Sequence, residues 1–254
     1  MKKDLCKGIK YEQLIFDRLK ETKSNLILTQ VASAGYGKHG PDLSAMYNHQ
    51  DFNIEVKKDV KAQMGGGSLT YDLETNTFSL ADSLKPLSDK NKDLLLESAS
   101  QKAEACSTYL RELSAIYPIE YHKLNKGFPL QCEYNARDKL KKLGFLKAIN
   151  LNIPCDESFI VDIYNSKGVY YMQIGKAGLF YLGSNPLDLD IPPLEGSCQV
   201  EMRLGYAGGK ITIEGHPETT GRKGDLRCQA RLKCKVESPH TLEKEESLIK
   251  LFSK

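Results

Sequence analysis

The stretch from Asp42 to Lys58 constrains this chain more than any other. Two segments, Asp42–Tyr47 (DLSAMY) and Phe52–Lys58 (FNIEVKK), carry β-compatible residues, and the polar run Asn48, His49, Gln50 and Asp51 between them leaves room for a turn and little else. Read as a four-residue loop, that run pairs Tyr47 with Phe52, and counting back along an antiparallel ladder sets Asp42 opposite Lys57. Directly opposed residues share a face of a sheet, and Glu55 shares it with Lys57 because side chains alternate with period two. The spacing therefore predicts two carboxylates and one ammonium on a single face.

Around this hairpin the pattern is mixed. Leu5, Ile9, Phe16 and Leu19 recur at helical spacing over about Lys3 to Lys20, and Glu12 falls on the same line, a carboxylate where the pattern asks for a hydrophobe. Asn25 to Ala32 reads as a strand and is followed by the loop SAGYGKHGP. After Lys58 comes the glycine-rich connection KKDVKAQMGGGSLTYD. Leu94 to Leu113 reads as one long packed helix, and Asn135 to Leu143 as a short one ended by Gly144. Ser158 to about Val236 reads as β-rich, through FIVDIYN, GVYYMQI, AGLFYL, QVEMRLGY, KITIEG and LRCQARLKCKV. LEKEESLIKLF forms a closing amphipathic helix. Ser184 to Gly196, with its three prolines, is expected to be a long loop, and no internal repeat or linker stands out.

Composition removes some classes of function. At 254 residues the chain can bury a substantial core, and 27% charged with 40% hydrophobic residues is ordinary for a globular protein. A formal net charge of +3 is too small for a polycation that coats nucleic acid indiscriminately, so local clustering decides. No apolar run reaches the length of a bilayer span, which argues against a membrane partner. MKKDLCKGIKYEQ lacks the apolar core of a secretory signal, so the expected location is cytoplasmic, in the host cytoplasm if the chain is phage-encoded. Seven scattered cysteines with no close CxxC pair read as reduced structural thiols; a Cys228–Cys234 bridge is conceivable on geometry and disfavoured in a cytosolic chain. The sequence has no GxxxxGK[ST] loop, so no nucleotide cofactor is expected.

Pro41 and Asp42, followed after twelve intervening residues by Glu55, Val56 and Lys57, resemble the PD-(D/E)XK, or restriction-endonuclease-like, nuclease superfamily. The match rests on a few residues and their strand context in the first quarter of the chain. The resemblance implies an α/β fold with a mixed sheet flanked by helices, and a leading helix that supplies a further acidic residue where Glu12 stands. On this reading residues 1–254 form one elaborated nuclease domain, its catalytic core at about 1–120 completed by later strands, with a β-rich C-terminal elaboration at about 155–240. It further implies Mg²⁺, with Mn²⁺ substituting, held by Asp42, Glu55, the Val56 carbonyl and Glu12.

The chemistry of phosphodiester hydrolysis asks for the same residue types. Charge on the phosphoryl oxygens must be neutralised, hydroxide must be available near neutral pH, and the departing alkoxide must be stabilised. Two carboxylates on adjacent strands offer hard oxygens to a divalent cation and leave positions for water and phosphate. Lys57 is placed to orient or help deprotonate the attacking water.

Phosphate contacts are expected from Lys38, His39, Lys58, Lys61, Gln63, Gly66 and Ser68 around the motif, and from Arg222 and Lys223 in the later GRKGDLR stretch. The bland alternative is that the lysines are a solvated face and the glycines a flexible loop. The expected activity is cleavage of DNA, by a homodimer if both strands are cut. A non-catalytic nucleic-acid-binding protein of the same fold and an RNA-directed nuclease are the rival readings.

Overall fold

The computed structural model describes residues 7–21, 26–31, 41–116, 123–124, 132–133, 139–213 and 216–252. In chain order these form helix α1 (Lys7–Glu21), strands β1 (Ile27–Val31), β2 (Leu43–Tyr47), β3 (Gln50–Lys57), β4 (Gly66–Asp72) and β5 (Thr77–Leu80), and helices α2 (Asp89–Ser100) and α3 (Ala103–Ile116). There follow the short strands β6 (Lys123–Leu124) and β7 (Cys132–Glu133), helix α4 (Phe145–Ile149), strand β8 (Leu151–Asp156) and helix α5 (Ser158–Asn165). Strands β9 (Val169–Ile174), β10 (Gly178–Tyr181), β11 (Ser197–Ile213) and β12 (His216–Leu232) precede the closing helix α6 (Glu245–Phe252). The architecture is α/β, and the chain divides into two compact units.

The first unit comprises Met1–Met64, Asp156–Cys198 and Arg231–Lys254. Its five-stranded sheet runs β1-β2-β3-β9-β10, with β3 and β9 parallel and the other neighbours antiparallel. On one face Leu43, Ala45, Tyr47, Phe52, Ile54, Val56 and Tyr171 pack with Tyr11, Ile15 and Leu19 of α1 and Leu248, Leu251 and Phe252 of α6. Phe52 sits between Tyr171 and Phe252, its ring 5.7 Å and 6.1 Å from theirs, and Tyr47 meets Phe252 edge-on at 5.2 Å.

Gln173 locks this face at its lower edge. Fully buried, its amide donates to the Tyr11 hydroxyl, to the Gly175 carbonyl and to Thr241 Oγ1, and its oxygen accepts the Leu242 N–H. Tyr11 in turn donates to Glu243 Oε1 at 2.8 Å. One buried amide thus ties α1, β9 and the segment before α6 together, with every polar group answered, as burial requires.

The β2–β3 turn differs from the expectation. Tyr47 pairs with Gln50, so the loop has two residues, Asn48 and His49, both in the left-handed region at φ 50° and 62°. Such a turn matches the right-handed twist of the flanking strands, and Asn and His tolerate that backbone better than most residues. The ladder is consequently shifted by two residues from the one counted on a four-residue loop.

Two helical expectations also change. The helix expected over Leu94 to Leu113 is broken between Ser100 and Ala103, where Ser100 Oγ turns back onto the Glu97 carbonyl at 2.6 Å and competes with the helical ladder. FIVDIYN, expected as a strand, is helix α5: Phe159, Ile160, Ile163 and Tyr164 are its buried residues, a spacing of one, three and one that a helix places on one side. Just before it the Asp156 carboxylate accepts the N–H and hydroxyl of Ser158, a local turn that leads the chain into the helix. Of the helix expected at Asn135 to Leu143, residues 135–138 lie outside the described residues.

The second unit comprises Gly65–Cys155 and Gln199–Ala230. Its strands belong to a seven-stranded sheet ordered β5-β4-β12-β11-β8, with β6 on β4 and β7 on β12. The region read as a C-terminal elaboration is therefore shared: residues 156–198 belong with the carboxylate-bearing sheet and 199–230 with the other. The glycines after Lys58 are structured. Gly66 opens β4 at φ +155°, opposite Gln229, and a Cβ there would stand 2.1 Å from the Cys228 carbonyl oxygen. Cys228 and Cys234 are both free thiols, and no described helix is long and apolar enough to cross a membrane.

Candidate active site

Extending the ladder one step past Leu43↔Ile54 brings Asp42 opposite Glu55. Asp42 stands just outside β2, and its Oδ2 accepts the Val56 N–H at 2.8 Å, so a side chain takes the bond that the next rung would have made. Glu55 is buried at 9% exposure on the face away from Ile54 and Val56. Lys57, on the same face, donates its Nζ to Glu55 Oε1 at 2.5 Å, with the two side chains 18% and 11% exposed. The shift of two residues in register leaves all three on one face, with Asp42 beside Glu55 instead of Lys57.

Tyr164 of α5 closes over this face. It is 2% exposed, its hydroxyl donates to Glu55 Oε1 at 3.0 Å, and the Lys57 ammonium lies 5.8 Å from its ring centroid. The ammonium of exposed Lys167 approaches the same ring at 5.5 Å. The sequence reading placed Tyr164 among strand aromatics. Its signal was the helical spacing of Phe159, Ile160, Ile163 and Tyr164.

Electrostatics concentrates negative charge here. Burial pushes the Asp42 carboxyl up to about 7; the charge of Glu55 pushes the same way, Lys57 and the Val56 N–H oppose it, and Glu12 adds a smaller upward push. Glu12 is also raised, by burial first, with Lys57 opposing and Glu55 adding to it. Burial and the neighbouring Glu55 hold the Tyr164 phenol protonated well above its ordinary range. Glu12 lies beside the buried stripe Tyr11, Ile15 and Leu19 and is half-buried, at the edge of the apolar face rather than on its axis. Among the described residues no three His, Cys, Asp or Glu side chains are grouped so as to hold a metal ion, and Glu12 meets Asp42, Glu55 and Lys57 through its charge.

A divalent cation fits what is present. The charge of buried Glu55 raises the cost of ionising half-buried Asp42, and hard carboxylate oxygens suit Mg²⁺ or Mn²⁺. The N–H and C=O of one strand residue leave on the same edge, so the Val56 carbonyl opens toward the side where its N–H meets Asp42.

The expected phosphate contacts divide. Lys58, Lys61 and Gln63 are exposed just beyond β3. The Lys58 carbonyl packs against Gly175, which at φ +40° leaves no room for a Cβ, only 2.1 Å from that oxygen. Lys61 is pinned by its backbone: its N–H donates to Asp59 Oδ1 and its carbonyl accepts from Arg231, at 2.8 Å and 2.9 Å. Gly66 and Ser68 do not match the expectation. Gly66 serves close strand packing, and Ser68 is 3% exposed, its N–H bonded to Ser83 Oγ. Arg222 lies in β12 opposite Cys132, with Lys223 beside it in the strand, and the side chains of both lie outside the described residues. Lys38 and His39 lie outside them altogether.

No protein-family model matches this chain, and no curated protein matches it. Among solved structures it is similar to HhaI endonuclease in complex with DNA, with a TM-score of 0.47 and 12% identity over 90% of this chain and 92% of that one. A likeness that loose transfers neither residues nor activity.

Proposed function

We propose that this chain is a metal-dependent nuclease that hydrolyses DNA phosphodiester bonds at Asp42, Glu55 and Lys57. The observation that carries the reading is the convergence of a buried and a half-buried carboxylate and one ammonium at the point where the β2–β3 ladder ends. Asp42, Glu55 and the Val56 carbonyl would hold Mg²⁺, with Mn²⁺ able to substitute. When bound, the ion supplies charge neutralisation at the phosphoryl oxygens and a water acidic enough to yield hydroxide near neutral pH.

The protein's own groups do the rest. Glu55 keeps the Lys57 ammonium at the site, where it faces the scissile phosphate and orients the attacking water. Asp42 holds its oxygens in place through the Val56 N–H. Glu12 adds its charge to the field around Asp42 and would complete the site directly, through water, or by holding a second metal. Lys58 and Lys61, exposed immediately after β3, give the strand backbone cations to lie against.

The test is Mg²⁺-dependent nicking of plasmid DNA by wild type, Asp42→Ala and Lys57→Ala, followed by end-labelled duplex DNA, single-stranded DNA and RNA. Wild type alone should cut, and duplex DNA should be the best substrate. Equal behaviour of all three proteins ends the nuclease reading in favour of a nucleic-acid-binding protein, and preference for RNA moves the substrate class.

A further inference from the structure

We infer that Tyr164 is a positioning residue that commits Glu55 Oε1 to the protein, leaves Oε2 for a divalent cation, and seats the Lys57 ammonium on its ring. The inference rests on the nuclease reading and adds to it a residue from a distant helix. Two donors converge on one oxygen: Tyr164 Oη at 3.0 Å and Lys57 Nζ at 2.5 Å both reach Oε1. The last torsion of a glutamate is broad and nearly two-fold, so an unrestrained carboxylate turns easily and presents its oxygens in no fixed order. With Oε1 held twice, the carboxylate plane is set and the other oxygen is the one a cation can take.

Packing alone would not select tyrosine here. A phenylalanine fills the same space on α5, and burying a hydroxyl in an apolar wall costs free energy unless it is bonded. At 2% exposure the Tyr164 hydroxyl is bonded to Glu55, 109 residues away in sequence. The same ring lies 5.8 Å from Lys57 Nζ, within the range where an aromatic face attracts a cation. One side chain therefore restrains both the carboxylate and the ammonium of the motif, in the manner of the outer partners that orient metal ligands.

The experiment compares wild type, Tyr164→Phe and Tyr171→Phe as full-length proteins. Mn²⁺ binding without DNA is followed by electron paramagnetic resonance, and Mg²⁺-dependent cleavage gives kcat and KM. Tyr171→Phe is the control, because it also removes a buried phenol hydroxyl, one that donates to Asn185 and accepts from Leu187 at 2.9 Å and 2.8 Å. Tyr164→Phe is expected to weaken Mn²⁺ binding and to lower kcat by about 10–100-fold each, with KM for DNA unchanged. Tyr171→Phe should lower the melting temperature and leave Mn²⁺ affinity within about twofold of wild type, the scatter of such a measurement.

If Tyr164→Phe keeps wild-type Mn²⁺ affinity, or if both variants lose it equally, the inference falls. Should Tyr164→Phe fail to fold, 3-fluorotyrosine at position 164 keeps the shape and changes the donor strength; an unchanged Mn²⁺ affinity then overturns the inference. A wild type that binds Mn²⁺ and cuts no nucleic acid overturns the nuclease reading while the Mn²⁺ comparison still decides the role of Tyr164. A wild type that binds no Mn²⁺ overturns both.

Discussion

In the five-stranded sheet the β2–β3 ladder stops at Leu43↔Ile54, and beyond it the Asp42 carboxylate, not a backbone carbonyl, receives the Val56 N–H. In the seven-stranded sheet β4 and β12 stay paired as far as Gly66↔Gln229, where the missing side chain lets the strand lie against the Cys228 carbonyl. Both places looked alike in sequence, since each follows a strand with glycine and lysine near it. Where a ladder ends early, a side chain replaces a rung and its carboxylate stays beside the strand end. Where glycine lets it run on, the backbone closes the space. The proposed chemistry rests on the first place, and close strand packing occupies the second.

The sharpest way to break that contrast is Asp42→Ala. It should abolish Mg²⁺-dependent nicking, a loss of several kcal/mol of transition-state stabilisation or roughly a thousandfold or more in rate, while the protein stays folded by circular dichroism. Lys57→Ala should follow with a fall of about 10²–10⁴-fold in kcat on the same assay, the usual weight of a positioned proton-transfer group. Full activity in either variant would move the chemistry elsewhere in the chain.

Gly66→Ala tests the other side. The added Cβ meets the Cys228 oxygen and a backbone at positive φ, so a cost of about 1–3 kcal/mol is expected in denaturant unfolding. DNA affinity of the folded fraction should not change. Weaker DNA binding with stability intact would return this glycine to ligand contact.

The smallest effect is the response to pH. The Asp42 carboxyl sits at about 7 in the folded protein against an ordinary 3.8, so the folded state holds a proton that the unfolded chain releases. In chelator, the stability this adds is fully present below about pH 4 and is lost as pH rises through 7. The melting temperature should fall by roughly a few degrees over that window, and Asp42→Ala should remove this part of the slope. A melting temperature for wild type that climbs steadily from pH 4 to 7, with Asp42→Ala following the same curve, would show that Asp42 is not buried against a second charge.

The face shared by Asp42, Glu55 and Lys57 was legible in the sequence even though the turn was misjudged. Replacing four loop residues by two slides one strand past the other by two positions, and a shift of two preserves which face each side chain occupies. A shift of one would have sent Asp42 to the α1 side. Glu12 was half legible: the stripe runs through Tyr11, Ile15 and Leu19, one residue off the line drawn through Ile9, Phe16 and Leu19, which leaves the carboxylate at the stripe's edge. What the sequence hid were long-range partners. Tyr164 looked like a strand aromatic because Ile, Val and Tyr favour strands locally, and packing against β9 decides for the helix that the spacing of Phe159, Ile160, Ile163 and Tyr164 also allowed. Gly66 and Ser68 looked accessible because glycine and serine are turn residues by habit, while β12, more than 150 residues later in the chain, decides that they pair.

The Gln173 lock has a consequence for the timing of assembly. It joins α1 to Thr241 and Leu242, and Tyr11 reaches Glu243 across 232 residues. A nascent chain still inside the ribosome holds Asp42, Glu55 and Lys57 long before it can build the clasp that fixes β9 next to them, and contacts so distant in sequence form slowly. Until Thr241 and Leu242 have left the ribosome, the sheet that carries Asp42, Glu55 and Lys57 lacks the clasp on β9.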